Sequence, residues 1–110
     1  MNESLNKSGF TQVSNFVFDV IIPQLSVYEQ SIFLRIYRQT IGWNKEWDRI
    51  SYSQFLQTTR IGSRREISWA LKELRKKKLI KIEKSRMNSY SINLETIMEQ
   101  YHPGTVTSTT

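Results

Sequence analysis

The stretch from Ser51 to Ile82 restricts the fold more than any other part of the chain. Its centre is Gly62-Ser63-Arg64-Arg65-Glu66-Ile67-Ser68-Trp69-Ala70-Leu71-Lys72-Glu73-Leu74. Ser63 and Glu66 stand at capping-box spacing, which marks a helix start by satisfying amide groups the first turn leaves unpaired. On a helix of 3.6 residues per turn, Ile67, Ala70, Leu71 and Leu74 share one side and predict a core face. Arg65, Ser68, Trp69, Lys72 and Lys76 fall roughly opposite, toward water or a ligand. Just upstream, Ser51 and Gln54 form a second capping box and open a short helix carrying Phe55 and Leu56. Thr59-Arg60-Ile61-Gly62 joins the two. A pair of short helices on a tight turn, the second basic on its outer face, reads as a helix-turn-helix.

The next residues extend this reading. Leu79-Ile80-Lys81-Ile82-Glu83 alternates apolar and charged residues after Leu79, the pattern of a half-buried strand. Ser85-Arg86-Met87-Asn88 supplies a turn, and Ser89-Tyr90-Ser91-Ile92-Asn93 alternates again. A basic helix followed directly by a hairpin is the order of a winged helix-turn-helix, mainly α with a small β-hairpin. The bland alternative is an amphipathic helix and hairpin with a solvated charged face. Helix pair, charge and hairpin agree with one another and favour the winged fold.

Charge supplies the functional direction. The 110-residue chain has a net charge of +6. Residues 60–86 hold eleven basic and three acidic side chains, a local balance of +8 against −2 elsewhere. One sign gathered on a third of the chain is the footprint of a polyanion partner. A membrane surface is a poor fit, because the basic helix spends its apolar stripe on the core and keeps no bulky apolar face for lipid. No apolar run approaches the roughly 20 residues of a membrane span, and Met1–Gly9 lacks the apolar centre of a signal peptide.

Enzymatic readings find no support. There is no cysteine, and the single histidine, His102, lies in a polar tail. Thiolate chemistry and a histidine-rich metal site are thereby excluded. Asp19, Glu29, Asp48, Glu66 and Glu73 read as helix or turn charges without paired-acid or metal-ligand spacing. Glu66 is expected to cap its helix and Glu73 to pair with Lys77 at i+4. No catalytic residue, metal ligand or cofactor site is assigned.

The remaining chain frames this unit. Residues 1–9 read as a disordered N-terminal segment, residues 10–101 as the winged domain and residues 102–110 as a flexible, linker-like tail. Phe10-Thr11-Gln12-Val13 reads as extended. Asn15 or Ser14 can cap a short helix reaching about Ile22, with Phe16, Val17, Val20 and Ile21 as its apolar face and Pro23 as its end. Ser26 and Glu29 form another capping box, opening a helix from about Val27 to Thr40. Its buried side is Ile32, Phe33, Ile36, Tyr37 and Thr40, and Gly42 is its natural stop. Arg35 and Arg38 could add phosphate contacts, but their default reading is solvated surface. Trp43 and Trp47 bracket a polar loop and read as packing anchors ahead of base-stacking platforms. Arg49-Ile50 is a short strand able to pair with the hairpin, and Leu94–Tyr101 a short closing helix. The expected core is Phe16, Phe33, Ile36, Phe55, Ile67, Leu71, Leu74, Ile80, Ile82 and Ile92.

Four stretches carry a family likeness. They are Gly9-Phe10-Thr11-Gln12-Val13-Ser14-Asn15; Gly42-Trp43-Asn44-Lys45 with Asp48-Arg49-Ile50-Ser51; Ile61-Gly62-Ser63-Arg64-Arg65 leading into Ala70-Leu71-Lys72-Glu73-Leu74; and Asn88-Ser89-Tyr90-Ser91-Ile92-Asn93. In this order they resemble the N-terminal DNA-binding domain of lambda-type bacteriophage replication protein O over about residues 9–94. Phe-Thr-Gln-Val and Gly-Trp-Asn-Lys are its more specific parts. Arg60 stands where the family often has glycine, and Ser14 where it often has proline. The resemblance implies a winged helix that binds repeats in a replication origin, commonly as a homodimer, and marks where helicase is loaded. It implies double-stranded DNA and helicase-loading proteins as partners and the cytoplasm of a bacterial host as location. Full-length members continue into a region that recruits the loading machinery, whereas this chain stops in a linker-like tail. A fragment, a stand-alone origin binder and a relative recruited to repression all stay open.

The expected division of labour follows from groove geometry. A helix entering the major groove brings its first turns nearest the base edges, so Arg64, Arg65, Ser68 and Trp69 are the candidate base readers. Arginine suits guanine through two parallel hydrogen bonds to O6 and N7. Arg60, Ser63, Lys72, Lys76, Lys81, Lys84, Arg86 and Asn88 are the candidate phosphate contacts. Two rival functions accompany origin recognition. One is a small phage or plasmid transcriptional repressor, and the other is a winged helix that meets an acidic protein.

Overall fold

The computed structural model describes residues 13–99. The segments 1–12 and 100–110, with the expected extended stretch, tail and His102, lie outside the described residues. A helical lead-in comes first: a π turn over Val17–Ile21 passes into a 3-10 turn over Ile22–Gln24. Three α-helices and three strands follow. They are α1 (Val27–Gln39), β1 (Asp48–Arg49), α2 (Tyr52–Thr59), α3 (Arg64–Lys76), β2 (Ile80–Glu83) and β3 (Ser89–Ile92). A final helical segment covers residues 94–99. The order is that of a winged helix-turn-helix, with α2 and α3 as the helix pair and β2–β3 as the wing.

Each helix starts where its cap places it. Ser26 and Glu29 form a complete capping box on α1, and Ser51 and Gln54 another on α2. At α3 the box is half made. Ser63 Oγ accepts the Glu66 N–H at 3.2 Å, but the Glu66 side chain makes no return bond to the cap. One side-chain acceptor is enough to define the start. At the far end Lys78 N–H reaches Arg75 O at 2.9 Å and Leu79 N–H reaches Leu74 O at 3.0 Å. These are the two bonds of a Schellman stop, with Lys78 in the left-handed position at φ 63°.

Two expected stops fall elsewhere. Gly42 does not end α1. The helix closes at Thr40, a 3-10 turn covers Ile41–Trp43, and the left-handed residue is Asn44 at φ 57°. Asparagine tolerates that region because its short polar side chain bonds locally. Pro23 does not end the first helical run either. It sits in the opening of the 3-10 turn, where its missing N–H forfeits no hydrogen bond. Ser14, not Asn15, supplies the cap, its Oγ accepting the Val17 N–H at 3.1 Å.

Strand order is β1-β3-β2, antiparallel throughout. The register pairs Asp48 with Tyr90 and Arg49 with Ser89, then Ile80 with Ile92 and Ile82 with Tyr90. The third strand is thus the expected pairing, shifted by one residue. Alternation sends Ile80, Ile82, Tyr90 and Ile92 to the face toward the helices, and Lys81, Ser89 and Ser91 to the other.

The core gathers between α1, α3 and the sheet. Ile32, Phe33, Ile36, Phe55, Ile67, Leu74 and Tyr90 are completely or almost completely buried. Phe55 meets Tyr90 edge-on, with ring centroids 5.5 Å apart and planes at 79°. Ile97 closes the core from the last helical segment. Of the expected core, Phe16 and Ile82 are only half-buried. Val20 is exposed, because the wider π turn rotates it off the apolar face set by Val17 and Ile21.

One buried carboxylate ties the lead-in side of α1 to the end of α3. Glu29 accepts the Ser26 N–H at 3.1 Å and the Lys77 ammonium at 2.6 Å. Lys77 therefore does not pair with Glu73. The Schellman turn aims it across to α1, where a buried partner holds it better than a solvated one at i+4.

Leu71 packs its side chain into this core, 3% exposed. Leu71→Ala is expected to cost about 2–5 kcal/mol, read as a fall in Tm of roughly 10 °C or more. Arg60 takes φ 62° at the end of α2, a conformation that costs a non-glycine residue about 1–2 kcal/mol. Arg60→Gly is expected to raise stability by about 0.5–1 kcal/mol after glycine's larger unfolded-state entropy is subtracted. Urea titration of both variants checks the pair.

Candidate nucleic-acid interface

The outer side of α3 divides into two rows. With the core side set by Ile67, Ala70, Leu71 and Leu74, the period places Arg65, Trp69, Lys72 and Lys76 directly opposite it. All four are exposed, Trp69 at 62%. Arg64, Ser68 and Arg75 form a flanking row turned toward the wing. There a groove of about 160 Å³ is lined by Ser68, Lys72 and Arg75 from α3, by Ile82, Lys84, Asn88 and Tyr90 from the wing, and by Tyr52.

Helix and wing thus share one surface. Its expected members Ser68, Lys72, Lys84 and Asn88 are brought together in the groove. Arg75 and Tyr52 belong there too, although they were not among the expected contacts. Arg75 was findable: it stands three residues after Lys72 and seven after Ser68, on one helical face.

The wing tip is shaped by its own polar bonds. Ser85 N–H donates to Asn88 Oδ1 at 3.1 Å, and Ser85 Oγ donates to Met87 O at 2.9 Å. This closes the turn and carries Arg86 toward α3. A second, larger cavity of about 400 Å³ opens there, between the start of α2, Arg64 and the tip residues Ser85 to Asn88. Arg64 does not extend along the outer row. Its guanidinium stands 5.9 Å over the Tyr52 ring and lines this cavity. Its surroundings separate it from Arg65, with which it was grouped as a base reader.

Other expected contacts are spread around the surface. Arg60 lies exposed in the turn between α2 and α3. Ser63 accepts an amide bond but keeps its hydroxyl proton free to donate. Lys81 points to the opposite face of the sheet, where its ammonium lies 5.6 Å over the Trp47 ring. It is remote from the row on α3, and period-2 alternation is the reason. Trp47 is a half-buried cover on that face. Trp43 is not a packing anchor: it is 62% exposed, with the Arg38 guanidinium 5.2 Å over its ring.

Electrostatically the surface is nearly uncompensated. Ion pairs among the described residues are Lys45–Asp48 and Lys77–Glu29. Of the eleven basic side chains in residues 60–86, Lys77 is therefore the one held by a carboxylate. Guanidinium and ammonium groups presented on a convex helix and an adjoining wing suit the regularly spaced charges of a phosphodiester backbone. Among the described residues no cluster of three metal-ligating side chains occurs, and no helix is long and apolar enough to cross a membrane.

Beneath the groove, the Tyr90 hydroxyl is buried, with the Asn88 side chain as its hydrogen-bonding neighbour, though outside direct hydrogen-bond geometry. Burial raises its pKa above the ordinary 10.0; the Asn88 side chain beside it offsets part of the rise, and Tyr52 adds to it.

A family model described as bacteriophage replication protein O matches residues 4–98. No curated protein and no solved structure matches the chain.

The buried phenol makes a pH prediction. The folded protein holds the Tyr90 proton more tightly than the unfolded chain does, so its contribution is intact below pH 10 and is lost as pH rises through the folded-state value. Between about pH 9 and about pH 11, the urea midpoint of the wild type should fall further than that of Tyr90→Phe. Equal falls would remove Tyr90 from the alkaline transition.

Proposed function

The chain belongs to the bacteriophage replication protein O family, and we propose that within replication initiation it is the part that binds duplex DNA at repeated origin sites. The observation that carries this reading is the shared surface of α3 and the wing, on which unpaired cations line a groove. In a winged helix, the helix projecting from that surface enters the major groove while the wing follows the backbone.

The roles follow from the two rows. Arg65 and Trp69, at the exposed outer ridge near the helix start, read base edges, and Ser68 allows close approach beside them. Lys72, Arg75, Lys76, Lys84 and Arg86 neutralise phosphates, with Arg60, Ser63 and Asn88 adding contacts at the turn and the wing. Lys81 is held against Trp47 and plays a lesser part. A two-fold pair of copies fits repeated half-sites about one helical turn, or roughly 10 bp, apart. Helicase-loading proteins are the expected further partners.

Selection of bound sequences from random duplex DNA, followed by footprinting on the phage DNA, tests the reading. Clustered repeats support origin recognition. A single site over a promoter supports repression, and no retained DNA supports a protein partner. On the selected site, roughly 4–6 contacted phosphates give a slope of log K against log salt of about −4 to −5; a flat response would refute the polyanion reading. Arg65→Ala is expected to cost about 1–3 kcal/mol on that site and to relax preference at one or two base pairs. Lys72→Ala should weaken selected and scrambled duplex by the same factor. An equal loss on both DNAs for Arg65→Ala would move Arg65 to the phosphate set.

A further inference from the structure

The rear of the sheet and the loop before it carry aromatic and cationic side chains that the surface of α3 and the wing does not use. Arg49 pairs with Ser89, and Lys81 with Ser91. Paired residues share a face, and this one points away from the helices. Trp47 stands two residues before Arg49, and the Lys81 ammonium lies 5.6 Å over its ring. Since β3 lies between β1 and β2, the Trp47 ring reaches behind β3 to meet a side chain of β2. Four residues earlier stands Trp43, 62% exposed, with the Arg38 guanidinium 5.2 Å over its ring.

The loop between the two tryptophans is braced at both ends. Trp43 N–H and Lys45 N–H donate to Thr40 O at 3.0 and 2.8 Å. Gln39 Nε2 and Lys45 Nζ donate to the Asp48 carboxylate at 2.9 and 3.1 Å. Four residues span at most about 14 Å, so both indoles leave the backbone within that distance. Arg35 lies one turn before Arg38 on the same outer side of α1. With Arg38, Arg49 and Lys81 it makes four cations. Glu46 and Glu83 oppose them, and Asp48 is held by Lys45. That surplus is small beside the +8 of residues 60–86, so backbone charge alone would hold a nucleic acid weakly here. An open ring face beside a cation adds what charge lacks: an unpaired base stacks on the ring while the cation meets its phosphate. A duplex hides its base faces, and an acidic peptide would leave the ring without a partner.

We infer that this rear surface is a second nucleic-acid site, which takes single-stranded DNA by stacking a base on Trp43 while the backbone passes Arg38, Arg49 and Lys81. Trp47, half-buried, is not a platform; it positions Lys81 along the back of the sheet. The inference goes beyond the duplex reading and does not depend on it, because none of these residues belongs to the outer ridge of α3 or to the groove beside the wing. A copy seated on duplex through α3 keeps the rear site open. It can therefore hold a strand that has been separated from its complement close by, so that one domain grips paired and unpaired DNA on opposite sides.

The test is fluorescence anisotropy with a labelled oligothymidylate of about 15 nucleotides, near the upper end of single-strand site sizes. Trp43→Ala should weaken its binding about tenfold, the worth of one stacked base. The melting temperature and the affinity for the selected duplex should not change, because the side chain is exposed. Arg49→Gln should lower the salt slope on the strand by about 0.7, the value of one phosphate on a single strand. Trp69→Ala should weaken the duplex and spare the strand. An abasic strand of the same length keeps its phosphates and should bind about tenfold more weakly. Protein saturated with the selected duplex should still take up the strand. Equal affinity for the abasic strand, displacement by duplex, or unchanged affinity in Trp43→Ala each overturns the site. So does a wild type that ignores the strand; if it then binds polyglutamate in a Trp43-dependent way, the surface is a protein contact. Trp43-dependent strand binding by a protein without duplex affinity would keep the site while the duplex reading fails.

Discussion

The contact between Phe55 and Tyr90 is the joint on which the arrangement depends. Phe55 is the buried residue of α2, and Tyr90 stands on the middle strand of the sheet, flanked by β1 and β2. Their edge-to-face packing couples the helix pair to the wing through rings that lose little entropy on ordering. Leu71 and Leu74 of α3 meet Ile80 and Ile92 of the sheet in the same buried core, and with the ring contact they make α3 and the wing one continuous surface. Tyrosine at this position brings a hydroxyl that phenylalanine would not, and the packing that fixes the ring encloses that hydroxyl beside Asn88. The same contact therefore sets both the geometry of this surface and the burial of a polar group beneath it.

Around that joint, charge is concentrated at some expense to stability. Arg60 and Lys78 occupy the two left-handed positions that close α2 and α3, where glycine would relax the backbone. Both add a cation to the basic third of the chain instead. Lys77 is the exception in kind: it is drawn back to the buried Glu29 and contributes to holding α3 against α1. The cluster is thus a set of exposed cations around one structural cation.

The helices were legible because their signals are local. Serines with glutamate or glutamine three residues on place the starts of α1, α2 and α3, and 3.6 periodicity gives the apolar buried residues of α1 and α3, while Glu29, read as a helix charge, is buried as well. What escaped is what depends on distant partners. Gly42 looks like a stop, yet Asn44 takes the left-handed turn. Glu73 looks like the partner of Lys77, yet a residue 48 positions earlier holds it. Tyr90, Ile50, Ile61 and Ile97 complete the core, although short strands and loops gave no period long enough to mark them. The candidate surface was legible as charge but not as shape. Alternation could have removed Lys81, and helical spacing could have added Arg75. The cavity at the start of α2 joins residues from three separate stretches, so no local pattern foretells it.

The sheet carries a consequence for crowding. Its outer strands are β1, two residues long, and β2, whose solvent face presents Lys81 and Glu83. An open strand edge is a template on which another chain can add a strand, and proximity raises that hazard. Copies gathered side by side on one polymer would experience high local concentration with their wings close together. A stub on one side and alternating charges on the other give an incoming strand little to pair with. Such an assembly can grow dense while each member keeps its own hydrogen-bonded sheet, and it can disperse again when the polymer is released.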